Sequence, residues 1–294
     1  MYIDGVLSGG GIKGFALIGA YKALEEKGFQ FKRLAGTSAG SIIAAFIAAG
    51  YTSTEIIKMM DEVDVSDFLD ERKTILPFPV AKWILLYWRL GLYKGVALEK
   101  WISKKLSDKG VKTFSDLPPQ SLRLIASDLT NGKMLVLPDD LKTYGITPEI
   151  FSVARAVRMS CSLPYFFEPV RLRTLNDQNL VVDGGVLSNF PIWLFDEEKA
   201  TLKRPVLGIK LSGSDAEKKK NKINNAIELY GALFETMKNA HDARYISRSL
   251  EKNIIFIPLD SGLTTEFNLT EENKLALIEF GQDRAQQFLK TWTF

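Results

Sequence analysis

The alternation of apolar runs across the first fifty residues constrains this chain more than any other feature. The apolar run Tyr2–Leu7 enters a glycine loop at Gly9, Gly10 and Gly11. A helical pattern follows over residues 12–27, with apolar positions at Phe15, Ala16, Ile18, Gly19, Ala23 and Leu24 and Gly28 as its stop. Residues 29–35 read as a second strand, and residues 41–49 as a helix apolar on every side, which predicts burial. Strand, helix, strand, helix predicts a parallel sheet covered by helices, because parallel neighbours need a crossover long enough to hold one. With 294 residues, 46% of them hydrophobic, there is material for one large core.

Further along, residues 122–126 and 134–137 flank Thr130, Asn131, Gly132 and Lys133, an Asn-Gly hairpin signal. Strands are expected at 180–182, 205–211 and 254–259, and helices at 148–158, 223–250 and 271–289. Residues 212–222 read as a solvated charged loop. No linker separates two domains. The expected fold class is α/β, a single three-layer domain with a mainly parallel central sheet flanked by helices and a helical cap insertion around 60–112.

Composition excludes several function classes. A net charge of +3 is too small to argue for nucleic acid. No run reaches the ~20 apolar residues of a membrane span. The nearest, residues 75–88, is broken by Pro77, Pro79 and Lys82. One cysteine, Cys161, allows no internal disulfide and fits a reducing compartment. With no signal peptide read at the N-terminus, the expected location is cytoplasmic. The acidic run 61–71 lacks the glycine and spacing of a calcium loop and reads as a solvated face, so no metal is implied.

Gly9, Gly11 and Gly14 spell G-x-G-x-x-G in the strand-to-helix context of a dinucleotide fingerprint. Such a site also needs an acid at the end of the second strand to hold a ribose hydroxyl. Here that strand ends without one: Glu25 and Glu26 come too early, and Arg33, a conceivable partner for a 2′-phosphate, precedes the strand end. A nucleotide role is therefore not expected.

The next motif is sharper. Gly36, Thr37, Ser38, Ala39 and Gly40 form G-x-S-x-G between a strand and a helix, the setting of a nucleophile elbow. The plain alternative is a serine that only caps a helix. An acyl-transfer serine needs a base. His241 is the only histidine, and the order Ser38, acid, His241 suits an α/β-hydrolase triad. It falls, however, on an apolar stripe with Ile223, Ile227, Tyr230, Phe234, Met237 and Tyr245, which suggests a packed or half-buried histidine. The other candidate is Asp183, after the apolar run 180–182 and before Gly184 and Gly185. The C-terminal ends of strands are where open α/β sheets build their sites. Its plain alternative is an Asp-Gly turn.

Taken together, GGGIKG at 9–14, GTSAG at 36–40 and DGG at 183–185 resemble the patatin-like phospholipase family. Two further segments are similar to it: S-x-x-x-P-x-x-F-x-P from Ser160 to Pro169, and DGGVLSNFP with Asn189 and Pro191. Ser8 stands where many members carry an acid. The resemblance covers roughly residues 2–211, including the insertion, and leaves 212–294 to complete the same domain. It implies a serine acyl hydrolase, phospholipase A-like, acting on carboxylic esters of membrane lipids through a Ser38–Asp183 dyad and an acyl-enzyme, without a cofactor. It also implies an oxyanion hole from the amides of Gly9, Gly10 and Gly11, with Lys13 adding positive charge and Gly14, Gly36, Gly40, Gly184 and Gly185 supporting the motifs. The rival expectations are an idle membrane-docking module of the same fold and a Ser38–Asp183–His241 triad.

The insertion carries the substrate clue. Trp83, Trp88 and Trp101 lie there with Phe78, Tyr87 and Tyr93. Within 82–112, Lys82, Arg89, Lys94, Lys100, Lys104, Lys105, Lys109 and Lys112 stand against only Glu99 and Asp108. Aromatics mixed with positive charge suit the surface of an anionic bilayer, so peripheral lipid contact through 74–112 is expected, against the alternative of a core-packed insertion with a wet basic face.

Overall fold

The fold was analysed in a computed structural model, which describes residues 1–71, 86–174, 177–195, 204–212, 223–246, 251–259 and 270–293. The strands are β1 (Tyr2–Leu7), β2 (Gln30–Thr37), β3 (Gly91–Tyr93), β4 (Leu122–Asp128), β5 (Lys133–Leu137), β6 (Tyr165–Phe167), β7 (Val170–Arg173), β8 (Gln178–Asp183), β9 (Val206–Ser212) and β10 (Ile254–Pro258). The α-helices are α1 (Phe15–Glu26), α2 (Ala39–Ala48), α3 (Ser53–Asp61), α4 (Val96–Asp108), α5 (Val153–Ser160), α6 (Ala226–Tyr245) and α7 (Glu271–Thr291). The expected hairpin at Asn131-Gly132 joins β4 to β5. The loop expected at 212–222 falls almost wholly outside the described residues.

The fold is mixed α/β with a central sheet flanked by helices. Strands order as β10-β9-β1-β2-β4-β8-β7, with β5 also on β4. From β10 through β4 every pairing is parallel, whereas β8, β7 and β5 join antiparallel. The main core contains Ile3, Leu7, Phe46, Ile102 and Val157. A smaller one joins Val6, Ala35, Val206 and Ile254 to Phe190, Ile192 and Phe195. Because side chains alternate along a strand, Leu7 and Val6 belong to opposite faces, so the two cores flank the sheet. Among the described residues no helix is long and apolar enough to cross a membrane.

Register on β4 positions the site. β5 pairs with Leu124–Asp128 along one edge of that strand. The other edge is shared end to end: Thr37 of β2 pairs with Ile125, and Asp183 of β8 pairs with Ala126, the next residue. β2 runs parallel to β4 and β8 antiparallel, so their C-terminal ends meet at that junction.

Two features anchor the surrounding elements. α7 crosses α1 so closely that a Cβ on Gly281 would collide with the Ala16 carbonyl, and one on Gly19 with the Ile278 carbonyl. Within the expected cap, α4 buries Leu98, Ile102 and Leu106 in the main core, and Trp101 packs on Phe46 and Phe68 with ring centroids at 5.5 and 5.1 Å. Asp70, from the acidic run read as solvated, instead accepts from the amides of Gly95, Val96 and Ala97 at 2.6, 2.8 and 3.0 Å. It caps the positive end of the α4 dipole. Phe78, Lys82 and Trp83 lie outside the described residues.

Candidate active site

Ser38 lies on the sharp turn between β2 and α2, with φ 51° and ψ −124°. A non-glycine residue there is strained and persists only where its surroundings fix it. The Ser38 amide donates to Ser160 Oγ at 2.9 Å, and Thr37 Oγ1 donates to the Ser188 carbonyl at 3.0 Å. The Ser38 carbonyl accepts from Ser41 Oγ at 2.6 Å and from Cys161 Sγ at 3.2 Å. The turn is closely packed: a Cβ on Gly36 would meet the Gly40 carbonyl, one on Gly40 the carbonyls of Leu7 and Ser8, and one on Gly14 the Ala39 side chain.

Asp183 ends β8 with its carboxyl buried. Its amide donates to the Ser162 carbonyl at 2.8 Å, so residues 160–162 brace both chain ends at once. Its carboxylate accepts from the Gly185 amide at 2.7 Å and lines one cavity with Ser38. Burial pushes this carboxyl up to about 6, while Ser38, the Gly185 hydrogen bond and the charge of Lys238 pull it back. Gly184 backs onto the Ile125 carbonyl, where a larger residue would not fit, and Gly185 lies close against the Asp183 carboxylate and the Phe234 ring.

The glycine loop divides its duties differently from expectation. Gly9 is not a free donor: its amide is committed to the Asn189 carbonyl at 3.0 Å, and Asn189 Oδ1 and Ser38 Cβ fill the space a side chain would need. The amides of Gly10 and Gly11 have no acceptor among the described residues, and both glycines line the same cavity as Ser38 and Asp183. Gly11 has φ 55°, the left-handed region that favours glycine. The Lys13 amide closes this turn onto the Gly10 carbonyl at 3.2 Å; its side chain does not line the cavity. Arg33, the conceivable 2′-phosphate partner, is buried and paired with Asp4 at 2.8 Å.

The cavity holds about 150 Å³. Its walls are chiefly apolar: Ile18, Ile42 and Met60 from α1, α2 and α3, Leu98 and Trp101 from α4, and Leu163 and Phe166 after α5. α6 adds Phe234, Glu235 and Lys238. Sequence reasoning had no signal for that contribution, because α6 carries no motif. His241, on the same helix, is half-buried and does not line the cavity. Of the stripe's described side chains, Ile223 and Met237 are 49% and 44% exposed and Phe234 faces the cavity. The side chains of Ile227, Tyr230 and Tyr245 lie outside the described ones.

A strained serine at a helix N-terminus, a buried carboxylate and two glycines with unpaired amides among the described residues thus share one largely apolar cavity. The sequence profile described as patatin-like phospholipase matches residues 5–196, and the chain belongs to that family. It is 62% identical over 294 residues to the uncharacterized protein YqhO of Bacillus subtilis, covering 100% of both chains. It is 25% identical to the probable lipid hydrolase 463L of invertebrate iridescent virus 6, across 97% of this chain and 88% of that one. Among solved structures, VipD from Legionella pneumophila superposes with a TM-score of 0.58 at 19% identity, across 99% of this chain and 67% of VipD, a likeness of fold.

Proposed function

We propose that the chain is a serine hydrolase that cleaves carboxylic esters of membrane lipids through Ser38 and Asp183, by way of an acyl-enzyme. The observation that supports this most directly is the shared edge of β4, where Thr37 and Asp183 take adjacent rungs and bring Ser38 and the Asp183 carboxylate to one apolar cavity. The Asp183 carboxylate takes the Ser38 proton as Oγ attacks the ester carbonyl. The amides of Gly10 and Gly11 hold the oxyanion, with the α2 N-terminus adding its dipole. The leaving alkoxide takes the proton from Asp183. A water then gives its proton to the same carboxylate, attacks the acyl carbon and frees the fatty acid, and Ser38 recovers its proton. A carboxyl near 6 is a stronger base than an ordinary aspartate and is still mostly ionised at neutral pH. The apolar walls receive the acyl chain. The single buried cysteine suits a reducing compartment, and the reading places the protein in the cytoplasm, meeting lipid peripherally.

Turnover of a p-nitrophenyl acyl ester tests this. Ser38→Ala and Asp183→Asn are each expected to lose at least about 10³-fold in kcat, the scale of removing members of such a unit. His241→Ala is expected to retain activity. An equally inactive His241→Ala would replace the dyad with a triad, and an active Ser38→Ala would end the proposal.

A further inference from the structure

α6 lies beyond the family-matched residues 5–196 and still forms part of the cavity wall. Its pose is fixed from both sides. Asp242 is buried, accepts from the Phe190 amide at 3.1 Å and pairs with Lys210 of β9, and the Phe234 ring packs against Gly185. Positions 235, 238 and 242 follow one another by three and four residues, so they share a helix face. That face delivers Glu235 and Lys238 to the cavity.

Lys238 is the one cation among the described lining residues. Its side chain is 12% exposed, and its Nζ donates to Glu235 Oε1 at 2.8 Å, where the glutamate is 35% exposed. A neighbouring pair of this kind on a helix stabilises little, whereas withdrawing an ammonium from water is expensive. An acyl chain gains nothing from a charge in its pocket. An anion attached to the substrate gains a great deal, because a charge-assisted hydrogen bond is strongest where water is scarce. In a glycerophospholipid the phosphodiester sits a few bonds from the ester carbonyl, so an ester held at Ser38 carries a phosphate into the same cavity.

We propose that Lys238 is the anion receptor of the catalytic cavity, binding a phosphodiester oxygen of a glycerophospholipid whose ester lies at Ser38, and that Glu235 holds the ammonium until the lipid displaces it. This rests on the hydrolase reading and narrows it to phosphate-bearing esters.

The test compares kcat/KM for phosphatidylcholine and for diacylglycerol with the same acyl chains, each in neutral-detergent mixed micelles. The pair differs by a phosphocholine group, whose phosphodiester and ammonium balance, so that no net surface charge is added. Lys238→Met is expected to lower the ratio of phospholipid to diacylglycerol by about ten-fold or more, the scale of a lost charge-assisted hydrogen bond. Lys238→Arg should keep the ratio, and Glu235→Gln, which releases the ammonium, should raise it. An active Lys238→Met whose ratio stays within about two-fold of wild type, losing both substrates in parallel, would mean that Lys238 acts only through the fold or the Asp183 charge, and would overturn the assignment. A fall in the ratio for Glu235→Gln would do the same. Wild-type protein with no Ser38-dependent turnover of either lipid would overturn the hydrolase reading and this assignment with it.

Discussion

Asp183 is pulled two ways, and the balance sets its own contribution to the pH response. Burial raises its carboxyl to about 6, against Ser38 and the Gly185 hydrogen bond, which favour the charged form. In the unfolded chain the same group titrates near its ordinary 3.8. The folded state therefore holds the proton more tightly, and the stability this contributes is complete below about pH 4 and lost as pH rises through about 6. Asp183→Asn, which carries no charge at any pH, is expected to be more stable than wild type at pH 8 by up to about 3 kcal/mol, with the gap narrowing toward pH 5. Denaturant midpoints of both proteins at pH 5, 6, 7 and 8 measure this, and a constant gap would refute the raised carboxyl. Ester turnover should rise over the same interval, because the base must be ionised. At this scale the sequence was informative where chemistry demands an unusual local backbone. The turn at Ser38 was legible from its small flanking residues, whereas Asp183, which alone reads as an Asp-Gly turn, was singled out only by the resemblance of the motifs taken together. Gly9 was misread because a glycine required for close packing against Asn189 leaves the same mark as one that presents its amide. Lys238 left no mark, since one lysine on a helix has no spacing rule.

Between elements, the legible part was whatever depends on neighbours in sequence. Apolar periodicity located the parallel strands, and Asn131-Gly132 located the hairpin. The head-to-head meeting of β2 and β8 was not legible, because it depends on the register of each against β4, and pairing distant strands leaves no local pattern. The same applies to α7 on α1. Gly19 was read only as one apolar position of a helix and Gly281 carried no reading, yet each admits the opposing backbone. A methyl group at Gly281 would collide with a carbonyl that cannot rotate away. Gly281→Ala is therefore expected to destabilise by about 2–3 kcal/mol, although alanine is the better helix former. Gly231, in α6, has nothing within 4 Å of where its Cβ would stand. Gly231→Ala should stabilise by up to about 1 kcal/mol. Chemical denaturation of the two variants in parallel reads both signs, and a neutral or stabilising Gly281→Ala would show that the helices can separate at little cost.

At the scale of the whole molecule, the question is which surface meets lipid. The insertion was read as one aromatic and basic unit, and the fold sorts its described residues into two populations. Trp101 belongs to the core, Lys105 and Lys109 pair with Glu62 and Glu55, and Lys109 also lies over the Tyr51 ring. Composition could not separate these from the rest, because burial is decided by which face of α4 each occupies. Outward remain Tyr87 and Trp88, 75% and 71% exposed and packed edge to face at 5.1 Å, with exposed Arg89, Lys100 and Lys104. Two adjacent rings this open to water would bury most of their area on entering a bilayer interface, and each basic residue near an anionic surface adds about 1 kcal/mol. We expect the Tyr87→Ala, Trp88→Ala double variant to partition about ten-fold more weakly into anionic vesicles, in a Ser38→Ala background that leaves the lipid intact. Replacing Arg89, Lys100 and Lys104 by Gln should weaken binding chiefly at low salt, since screening already removes part of that attraction at higher ionic strength. Flotation through a density gradient at two salt concentrations separates the two contributions. An aromatic variant that floats as well as its parent would remove the expectation that this segment contacts lipid.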